Sequence, residues 1–215
     1  MIPASGVLHV MPTAFGTVAG DVTKTPAGLL LAAGAGRRFG TPKALVADWL
    51  TRGIDALAAA ECGPVVVVLG AAQQQARERL HGRAVTVAVA ADWSVGLSAS
   101  LRAGIAALPA DAPAAVVTLV DLADVGESVV RRVLEKGAGT ATLTRATYHR
   151  RPGHPVVLGR DHWSGILAAA HGDVGARAYF DRRAVALVEC GDLASGRDID
   201  WPDETILGRG AACVR

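Results

Sequence analysis

Residues 28–43 read Gly28-Leu-Leu-Leu-Ala-Ala-Gly-Ala-Gly-Arg-Arg-Phe-Gly-Thr-Pro-Lys43, a short apolar run that leads into a glycine-rich, basic loop. The apolar run, Leu29 to Ala33, is predicted to be a buried strand. The loop contains three glycines and three cations: Gly34, Gly36, Gly40, Arg37, Arg38 and Lys43. The glycines allow positive φ angles that turn backbone N–H groups toward an anion, and the cations add charge beside them. The stretch predicts a phosphate-binding turn; the alternative is an ordinary strand-to-helix turn with solvated basic side chains.

Two better-known phosphate-binding loops do not fit this spacing. A dinucleotide-binding loop needs G-x-G-x-x-G, whereas Gly34-Ala-Gly36-Arg-Arg-Phe-Gly40 is one residue longer. A Walker A loop ends in Gly-Lys-Ser/Thr, which is absent from this stretch. The loop therefore belongs to neither class.

The loop resembles the L-A-A-G-x-G-x-R-M-G-x-P-K signature of the MobA-like NTP transferases, which include the molybdenum cofactor cytidylyltransferases. In that register Arg38 and Lys43 fall on the family's basic positions, and Phe39 replaces the usual Met. The resemblance implies that the nucleotide contacts Leu31, Ala32, Ala33, Gly34, Ala35, Gly36, Arg37, Arg38 and Lys43. It also favours CTP, because the guanylyl-transferring relatives resemble L-A-G-G where this chain has Ala33 before Gly34.

Length and composition indicate one α/β domain. The chain has 215 residues, 51% of them apolar and only 4% aromatic, as expected for a parallel sheet buried under small-residue helices. Alternating strands and helices predict a three-layer α/β/α, mostly parallel, Rossmann-like sheet with right-handed crossovers; the resemblance implies the nucleotide-diphospho-sugar transferase type. We assign residues 28–215 to this domain. Residues 1–27 are expected to be a tail, either disordered or an over-long start.

The predicted elements follow from runs of apolar residues and their periods. Beyond the first strand, strands are expected at 64–69, 84–90, 114–120, 140–146 and 184–189. Helices are expected at 44–61, 71–80, 98–108, 165–170 and 175–180, with a closing helix opened by 198–202. A turn is expected through 150–155, after which 156–158 returns toward the sheet.

Charge and cysteine content exclude several classes of protein. The net charge of +2 is too small and dispersed for a nucleic-acid surface. Cys62, Cys190 and Cys213 are scattered and odd in number, which indicates neither a disulfide framework nor a zinc site. No apolar run approaches the length of a membrane span, and no signal peptide is evident at the start. We therefore expect a cytoplasmic protein with no membrane or nucleic-acid partner.

Asp121 directly follows the predicted strand 114–120. Ligands of open parallel sheets bind at the carboxyl ends of the strands, and Mg²⁺ on a nucleotide needs one or two carboxylates. Asp121 is thus the best single candidate for a metal ligand, with a helix N-cap as the alternative. The resemblance supports the metal role, since the family carries Asp-x-Pro here, although Ala123 replaces the proline. Asp124 is either a helper or a solvated loop acid.

A second carboxylate is expected near the end of the chain. Asp198-Ile-Asp200-Trp-Pro-Asp-Glu204 resembles the family's D-I-D-T-P-E-D, with Trp201 in place of Thr. The resemblance implies that Asp200 completes the metal site with Asp121. Alternatively, Asp198 and Asp203 are caps of a terminal helix.

A loop before the predicted helix 98–108 is a second candidate nucleotide contact. Residues 92–101 resemble the family's W-x-x-G-M-x-x-S-L segment, with Leu97 for Met, and the resemblance implies nucleotide contacts from Gly96 and Ser100. The alternative is a helix start capped by Ser98 or Ser100.

Two further segments are similar to family segments near the acceptor. Arg151-Pro-Gly-His-Pro-Val156 is similar to R-P-G-H-P-V, which singles out His154; a structural histidine in a constrained turn is the alternative. Residues 172–177 also match, and there Arg177 meets an acceptor phosphate or pairs with Asp173. The chain departs from the family pattern in one place. In the family, a connection containing Gly-x-Pro-Leu usually separates Pro-Lys-x-Leu from the next helix, and here that connection is missing. Either the sheet edge is shortened, or the chain omits a flexible segment.

Taken with the resemblance, these residues imply a Mg²⁺-dependent nucleotidyltransferase. It would transfer CMP from CTP to molybdopterin and release pyrophosphate, with Arg38, Lys43 and Asp121 as catalytic residues. The resemblance also implies a molybdoenzyme or a maturation factor as partner, and a monomer or dimer. Two alternatives stay open. One is another acceptor, such as a sugar phosphate, polyol phosphate or phospholactate; the other is a catalytically silent nucleotide-binding or cofactor-delivery protein.

Overall fold

The computed structural model describes residues 25–201, in which seven strands form one sheet. The strands are β1 (Ala27–Ala32), β2 (Val65–Leu69), β3 (Val85–Val89), β4 (Ala114–Leu119), β5 (Leu143–Tyr148), β6 (Arg151–Gly159) and β7 (Ala186–Glu189). The α-helices are α1 (Trp49–Ala59), α2 (Gln73–Arg79), α3 (Leu97–Ala106), α4 (Glu127–Leu134), α5 (Trp163–Ala169) and α6 (Arg177–Phe180). Short 3₁₀ helices cover Lys43–Leu45, Trp93–Val95, Arg160–His162 and Gly172–Val174.

The strands are ordered β3-β2-β1-β4-β6-β5-β7 across the sheet. Four pairs are parallel, namely β1–β2, β1–β4, β2–β3 and β5–β7. Only β6 runs against its neighbours β4 and β5. The mostly parallel α/β sheet that the sequence predicts is therefore confirmed, and β1 and β4 lie side by side near its middle.

Helices cover both faces of the sheet, because successive side chains of a strand point to opposite sides. In β1, Leu29 and Leu31 pack into a core with side chains of α3, α5 and α6. Leu30 and Ala32 pack into the opposite core, with α1, α2 and α4. This confirms the three-layer arrangement.

The first helix begins later than its apolar period predicts. Residues 43–45 form a 3₁₀ turn, and α1 starts only at Trp49. Three residues, 46–48, join the two, and Ala47 has a φ of 34°. The short connection leaves β1 fully paired on both sides.

The predicted turn through 150–155 is wrong. Residues 151–159 form the continuous strand β6, and the chain reverses earlier, at His149 and Arg150, whose φ angles are 50° and 68°. The carboxylate of Glu189 accepts the backbone N–H groups of both residues, at 2.8 and 3.1 Å. A contact with a residue so distant in sequence fixes this turn, so the local pattern did not predict it.

Helix α4 was not predicted from the sequence. Its inward face consists of Val129, Val130 and Val133, all buried, and β-branched side chains favour strands over helices. The predicted closing helix lies outside the described residues beyond Trp201, and residues 198–200 are not in a helix. Residues 1–24 and Cys213 also lie outside the described range. Within residues 25–201, no helix is both long and apolar enough to cross a membrane.

Candidate functional site

The glycine-rich loop follows β1 at the carboxyl edge of the sheet. Gly36 has a φ of 60°, and a Cβ on it would lie 1.9 Å from the carbonyl oxygen of Thr41. Gly40 has a φ of 84° and donates its N–H to the carbonyl of Gly36 at 2.8 Å. Gly34 differs from the prediction: its φ lies outside the left-handed region and open space surrounds its Cβ position. The tight turn therefore depends on Gly36 and Gly40.

A cleft of about 330 Å³ opens above this edge. The residues that line it come from the end of β1 and the loop, the 3₁₀ turn before α3 and the start of that helix, the end of β4, and the segment 172–174. They include most of the predicted nucleotide contacts, namely Leu31, Ala32, Ala33, Gly34, Ala35, Gly36, Arg37, Lys43, Gly96 and Ser100, together with Asp121. An adjoining recess is lined by Arg38 and Asp200, and it shares Lys43 and Asp121 with the cleft.

Lys43 links the two predicted metal-binding carboxylates. Its Nζ donates to Oδ2 of Asp121 at 2.7 Å and to Oδ1 of Asp200 at 2.8 Å. Arg38 donates to the other oxygen of Asp200 at 3.2 Å, although its own side chain is 71% exposed. Residues far apart in sequence thus form one charged group.

The pKa values in this group follow from these contacts. Burial alone would lower the pKa of Lys43, but the hydrogen bonds to Asp121 and Asp200 outweigh burial and raise it. The hydrogen bond from Lys43 lowers the pKa of Asp200, and the charge of Arg38 adds to the effect. The contact between Lys43 and Asp200 therefore favours the charged form of both side chains.

Asp121 is not a helix N-cap, since α4 begins six residues later with Gly126 at its cap position. Its Oδ2 binds Lys43, whereas Oδ1 is buried and has no hydrogen-bond partner within residues 25–201. A buried carboxylate oxygen without a partner is costly, and a cation would satisfy it. Asp124 lies away from this group and accepts the backbone N–H of Ser195 at 2.6 Å.

The oxygen ligands of these two carboxylates suit a hard divalent cation such as Mg²⁺. Among the described residues, no group of three or more His, Cys, Asp or Glu side chains could hold a metal. Mg²⁺ typically takes one or two carboxylates and completes its shell with water and substrate phosphates. Asp121 and Asp200 have this chemistry.

Asp173 was missed as a cleft residue in the sequence. It lines the cleft, and its Oδ1 accepts the backbone N–H of Leu97, the first residue of α3, at 3.2 Å. A Cβ on Gly96 would lie 2.4 Å from the same oxygen, so only glycine allows this approach. Asp173, rather than Ser98 or Ser100, therefore caps α3. The sequence feature that could have identified Asp173 is its position in the segment 172–177, which matches a family segment.

The two predicted acceptor-side residues lie outside the cleft. His154 is half-buried in β6 rather than in a turn, and burial, with a smaller contribution from Arg145, lowers its pKa to about 4. Arg177 is exposed at the start of α6, and no ion pair joins it to Asp173 within the described range. Arg145, which the sequence analysis did not single out, interacts electrostatically with both residues. Its charge lowers the pKa of His154, and the charge of Arg177 lowers the pKa of Arg145 itself, in addition to the larger effect of burial.

A second cleft, of about 320 Å³, lies between α1 and the segment 118–127. Among the described residues that line it, the only basic one is Arg52, which donates to the carbonyl of Ala123 and lies 3.8 Å from Asp48. Because its other charged lining residues are the acids Asp55, Asp124 and Glu127, this cleft is poorly suited to a triphosphate. The cleft beside the glycine-rich loop is the better nucleotide site.

Comparisons with known proteins agree with this geometry. Residues 28–187 match a family model described as the MobA-like NTP transferase domain. The chain is 32% identical over 191 residues to nicotine blue oxidoreductase of Paenarthrobacter nicotinovorans, an alignment that covers 82% of this chain and 93% of that protein.

Solved structures are similar over most of the chain. Rv0371c of Mycobacterium tuberculosis H37Rv superposes with a TM-score of 0.72 and 26% identity, covering 87% of this chain and 99% of that one. A nucleotidyl transferase from Methanothermobacter superposes with a TM-score of 0.74 and 21% identity, covering 86% and 96%. A further structure of Rv0371c, in complex with manganese, has a TM-score of 0.64 at 26% identity and covers 77% and 88%.

Proposed function

The chain belongs to the MobA-like NTP transferase family, and from this premise we propose that it transfers CMP from CTP to the phosphate of molybdopterin, in a Mg²⁺-dependent reaction. The observation that carries the proposal is the contact of Lys43 with both Asp121 and Asp200, beside the glycine-rich loop. In this contact, cations that can bind a triphosphate and carboxylates that can bind a metal lie around one cleft. In this proposal, residues 28–215 form one cytoplasmic nucleotidyltransferase domain.

The loop and its cations bind the triphosphate. Arg37 lines the cleft and has no side-chain hydrogen bond or ion pair within residues 25–201, so its charge is available to a ligand. Arg38 and Lys43 lie beside it, at the two sides of Asp200. Fixed positive charges in a preorganised cleft stabilise the negative charge that develops on the leaving pyrophosphate.

Asp121 and Asp200 would hold the metal ion. The unpartnered Oδ1 of Asp121 supports this assignment, as do the oxygen ligands that Mg²⁺ prefers. When bound, Mg²⁺ neutralises charge on the triphosphate and polarises its phosphorus–oxygen bonds. Manganese in the structure of Rv0371c, a relative of the same fold, is consistent with a divalent metal.

The transfer itself needs no covalent bond to the protein. An oxygen of the acceptor phosphate forms a bond to the α-phosphorus of CTP, while the bond from that phosphorus to the bridging oxygen of the β-phosphate breaks. Pyrophosphate leaves with the electron pair. The protein contributes alignment and charge neutralisation, through Arg38, Lys43 and the amides of the loop.

The base is assigned from the end of β1. Ala33 is only 3% exposed, and its carbonyl and Cβ would lie 2.5 and 2.8 Å from a Cβ on Gly70. The methyl group of Ala33 therefore packs against Gly70, while Ala33 itself lines the cleft. In the family, alanine at this place favours cytidine, whereas the guanylyl-transferring relatives carry glycine.

Nucleotide choice is tested by titrating CTP, GTP and ATP into the full-length protein with Mg²⁺ in a calorimeter. We expect CTP to bind at least about tenfold more tightly than GTP or ATP, a difference of about 1.4 kcal/mol. Tighter binding of GTP would overturn the cytidine assignment and leave the transferase assignment intact.

Turnover is tested by a pyrophosphate-release screen that pairs each nucleotide with molybdopterin, sugar phosphates, polyol phosphates and phospholactate. Release with CTP and molybdopterin only is the expected result. Release with another acceptor would replace molybdopterin. No release with any pair, but tight nucleotide binding, would indicate a nucleotide-binding cofactor-delivery protein, which acts through a molybdoenzyme or maturation factor.

An oxidoreductase activity is assayed in parallel, since the relative from P. nicotinovorans carries that name. The probe is a reduced nicotinamide cofactor with a quinone-like dye as acceptor. We expect no cofactor oxidation above the rate without protein. Oxidation without pyrophosphate release would overturn the proposed transferase activity.

A further inference from the structure

Both carboxylate oxygens of Asp200 contact a cation. Oδ1 accepts from Nζ of Lys43 at 2.8 Å, and Oδ2 accepts from Arg38 at 3.2 Å. Asp121 shares the same ammonium through its Oδ2, at 2.7 Å, and its Oδ1 has no partner among residues 25–201. Because cations on one carboxylate repel each other, a divalent ion that binds Asp121 and Asp200 together competes with Lys43, with Arg38 or with both.

The charges within this group compensate one another. Lys43 and Arg38 are paired with the carboxylates of Asp121 and Asp200, so two cations face two anions. The four side chains together therefore offer a divalent ion little net attraction, although the two carboxylates alone would attract it strongly. A ligand that draws the cations away makes the carboxylates available to the metal.

Burial makes Lys43 a stronger competitor than Arg38. The side chains of Lys43 and Asp121 are 14% and 16% exposed, so water and salt weaken their attraction only in part. Arg38 is 71% exposed, and its contact with Asp200 is more strongly screened. Lys43 also contacts both carboxylates, whereas Arg38 contacts one of them. Access of a metal ion to this pair therefore depends mainly on Lys43.

Lys43 can exchange its partners by a movement of its side chain alone. Its backbone is held in the 3₁₀ turn, where the N–H of Leu45 donates to the carbonyl of Pro42 at 2.8 Å and the N–H of Val46 donates to that of Lys43 at 3.1 Å. The side chain lines both the cleft and the adjoining recess, and a lysine has a flexible stem with three rotatable donors. A triphosphate in the cleft carries more negative charge than the two carboxylates, so it can attract the ammonium away from them.

We propose that Lys43 makes metal binding at Asp121 and Asp200 depend on the nucleotide. A divalent ion alone competes poorly with the ammonium, whereas a bound triphosphate takes the ammonium over and leaves the carboxylates to the metal. Metal and triphosphate then bind cooperatively, and each raises the affinity of the other by the same factor. This proposal rests on the proposed function, because it concerns the same site. It gives Lys43 a second role, which is to disfavour metal binding without substrate.

The test measures Mn²⁺ binding to the full-length protein without nucleotide. Mn²⁺ is the probe because it prefers oxygen ligands, as Mg²⁺ does, and because its paramagnetic resonance signal in solution is lost when it binds to protein. The variants are K43M, which removes the charge, and K43R, which keeps it. The matched control is R37Q, since Arg37 lines the same cleft and forms no ion pair with either carboxylate within residues 25–201.

We expect K43M to bind Mn²⁺ at least about tenfold more tightly than the wild type does, because it removes a poorly screened positive charge beside the metal ligands. K43R and R37Q should stay close to the wild type. R38Q should gain less than K43M, since Arg38 is largely exposed. A misfolded variant would lose metal binding, so unfolding cannot produce the gain. In the double variant K43M/D121N the gain should disappear, because the ion then lacks its buried ligand.

A second measurement repeats the Mn²⁺ titrations with a non-hydrolysable CTP analogue present, corrected for the Mn²⁺ that the analogue binds in solution. The analogue should raise the Mn²⁺ affinity of the wild type by a factor at least about ten times larger than the factor for K43M. The reason is that the carboxylates of K43M are available to the ion before the analogue binds.

Three results would overturn the proposal: unchanged or weaker Mn²⁺ binding by K43M, a gain that persists in K43M/D121N, or an equal effect of the analogue on the wild type and K43M. Affinity for the analogue, measured by calorimetry on the same samples, separates these failures from that of the proposed function. If the analogue binds and K43M gains no Mn²⁺ affinity, the second role of Lys43 is wrong. If the analogue does not bind to the wild type, the proposed function is wrong.

Discussion

The ammonium nitrogen of Lys43 lies 2.7 Å from Oδ2 of Asp121, while Oδ1 of the same carboxylate is buried without a partner among the described residues. Lys43 follows β1 and Asp121 follows β4, and these strands are parallel neighbours. The carboxyl ends of adjacent parallel strands meet at one edge, which is where open α/β sheets bind ligands. The contact thus follows from the topology and positions the charge for a nucleotide.

Asp121→Asn should reduce metal-dependent pyrophosphate release by at least about 100-fold, because the amide cannot replace a charged metal ligand. The measurement is the initial rate at saturating CTP and Mg²⁺. Asp124→Asn is the matched control: Asp124 is an exposed acid three residues away that binds the N–H of Ser195. It should retain nearly full activity. Retained activity in the Asp121 variant would remove this residue from the metal site.

Gly36→Ala should lower the free energy of unfolding by about 1–3 kcal/mol, because the residue has a left-handed backbone and its Cβ would meet Thr41. Gly34→Ala is the control from the same loop. Gly34 has no left-handed φ and open space at its Cβ position, so its change should stay within about 0.5 kcal/mol. Urea unfolding measures both. Equal values for the two variants would contradict the strain at Gly36.

Local sequence predicts the parts of this fold whose pattern is complete within a few residues. β1 is a short apolar run, and β4 is apolar except for Thr118. Asp121 directly follows the predicted strand 114–120, so its place at the sheet edge could be predicted. The pairing of Lys43 with Asp200 spans more than half of the chain. The sequence assigned Asp200 to the metal site only through resemblance to a family motif, and it did not predict the contact with Lys43.

The remaining features depend on contacts between distant residues. The turn at His149 and Arg150 is held by Glu189. Because the local sequence does not reveal that contact, the glycine and prolines that follow were predicted to form the turn. The cap of α3 comes from Asp173, whereas two nearby serines offered a local alternative.

Asp173→Ala should lower the free energy of unfolding by about 1 kcal/mol, since the N–H of Leu97 at the start of α3 loses its acceptor. Asp173→Asn keeps an oxygen acceptor and should restore most of the loss. Asp92→Ala is a control from the preceding loop, where the exposed carboxylate makes no side-chain cap. Urea unfolding at neutral pH compares the three. If the Asn and Ala variants were equally unstable, the capping role would be wrong.

Cys62 and Cys190 should resist alkylation in the native protein. Both are buried, and burial raises the pKa of Cys62 to about 12, with the charge of Arg131 opposing it only in part. The thiolate is the reactive form, so little of it exists at about pH 8. Iodoacetamide labelling followed by peptide mass spectrometry should modify both residues only after denaturation. Labelling of Cys62 at the rate of a free thiol in the folded protein would contradict its burial.

Glu189→Gln should destabilise the protein at neutral pH and have less effect in acid. Backbone N–H groups of Arg150, His149 and Gly191 lower the pKa of Glu189 from its ordinary value of 4.5 to about 2. A carboxylate with a lowered pKa stabilises the fold above its unfolded pKa, and this contribution disappears as pH falls through the folded value. The difference in free energy of unfolding between wild type and variant should therefore be constant above about pH 5 and shrink toward pH 2.

The measurement is urea unfolding across this pH range, with Glu78→Gln as the control. Glu78 is exposed on α2 and its side chain has no hydrogen bond or ion pair among residues 25–201. Its variant should follow the wild type at every pH. A difference for Glu189→Gln that stayed the same down to about pH 2 would mean that the ionised carboxylate does not hold the β5–β6 turn, because only a charged acceptor gains this pH dependence.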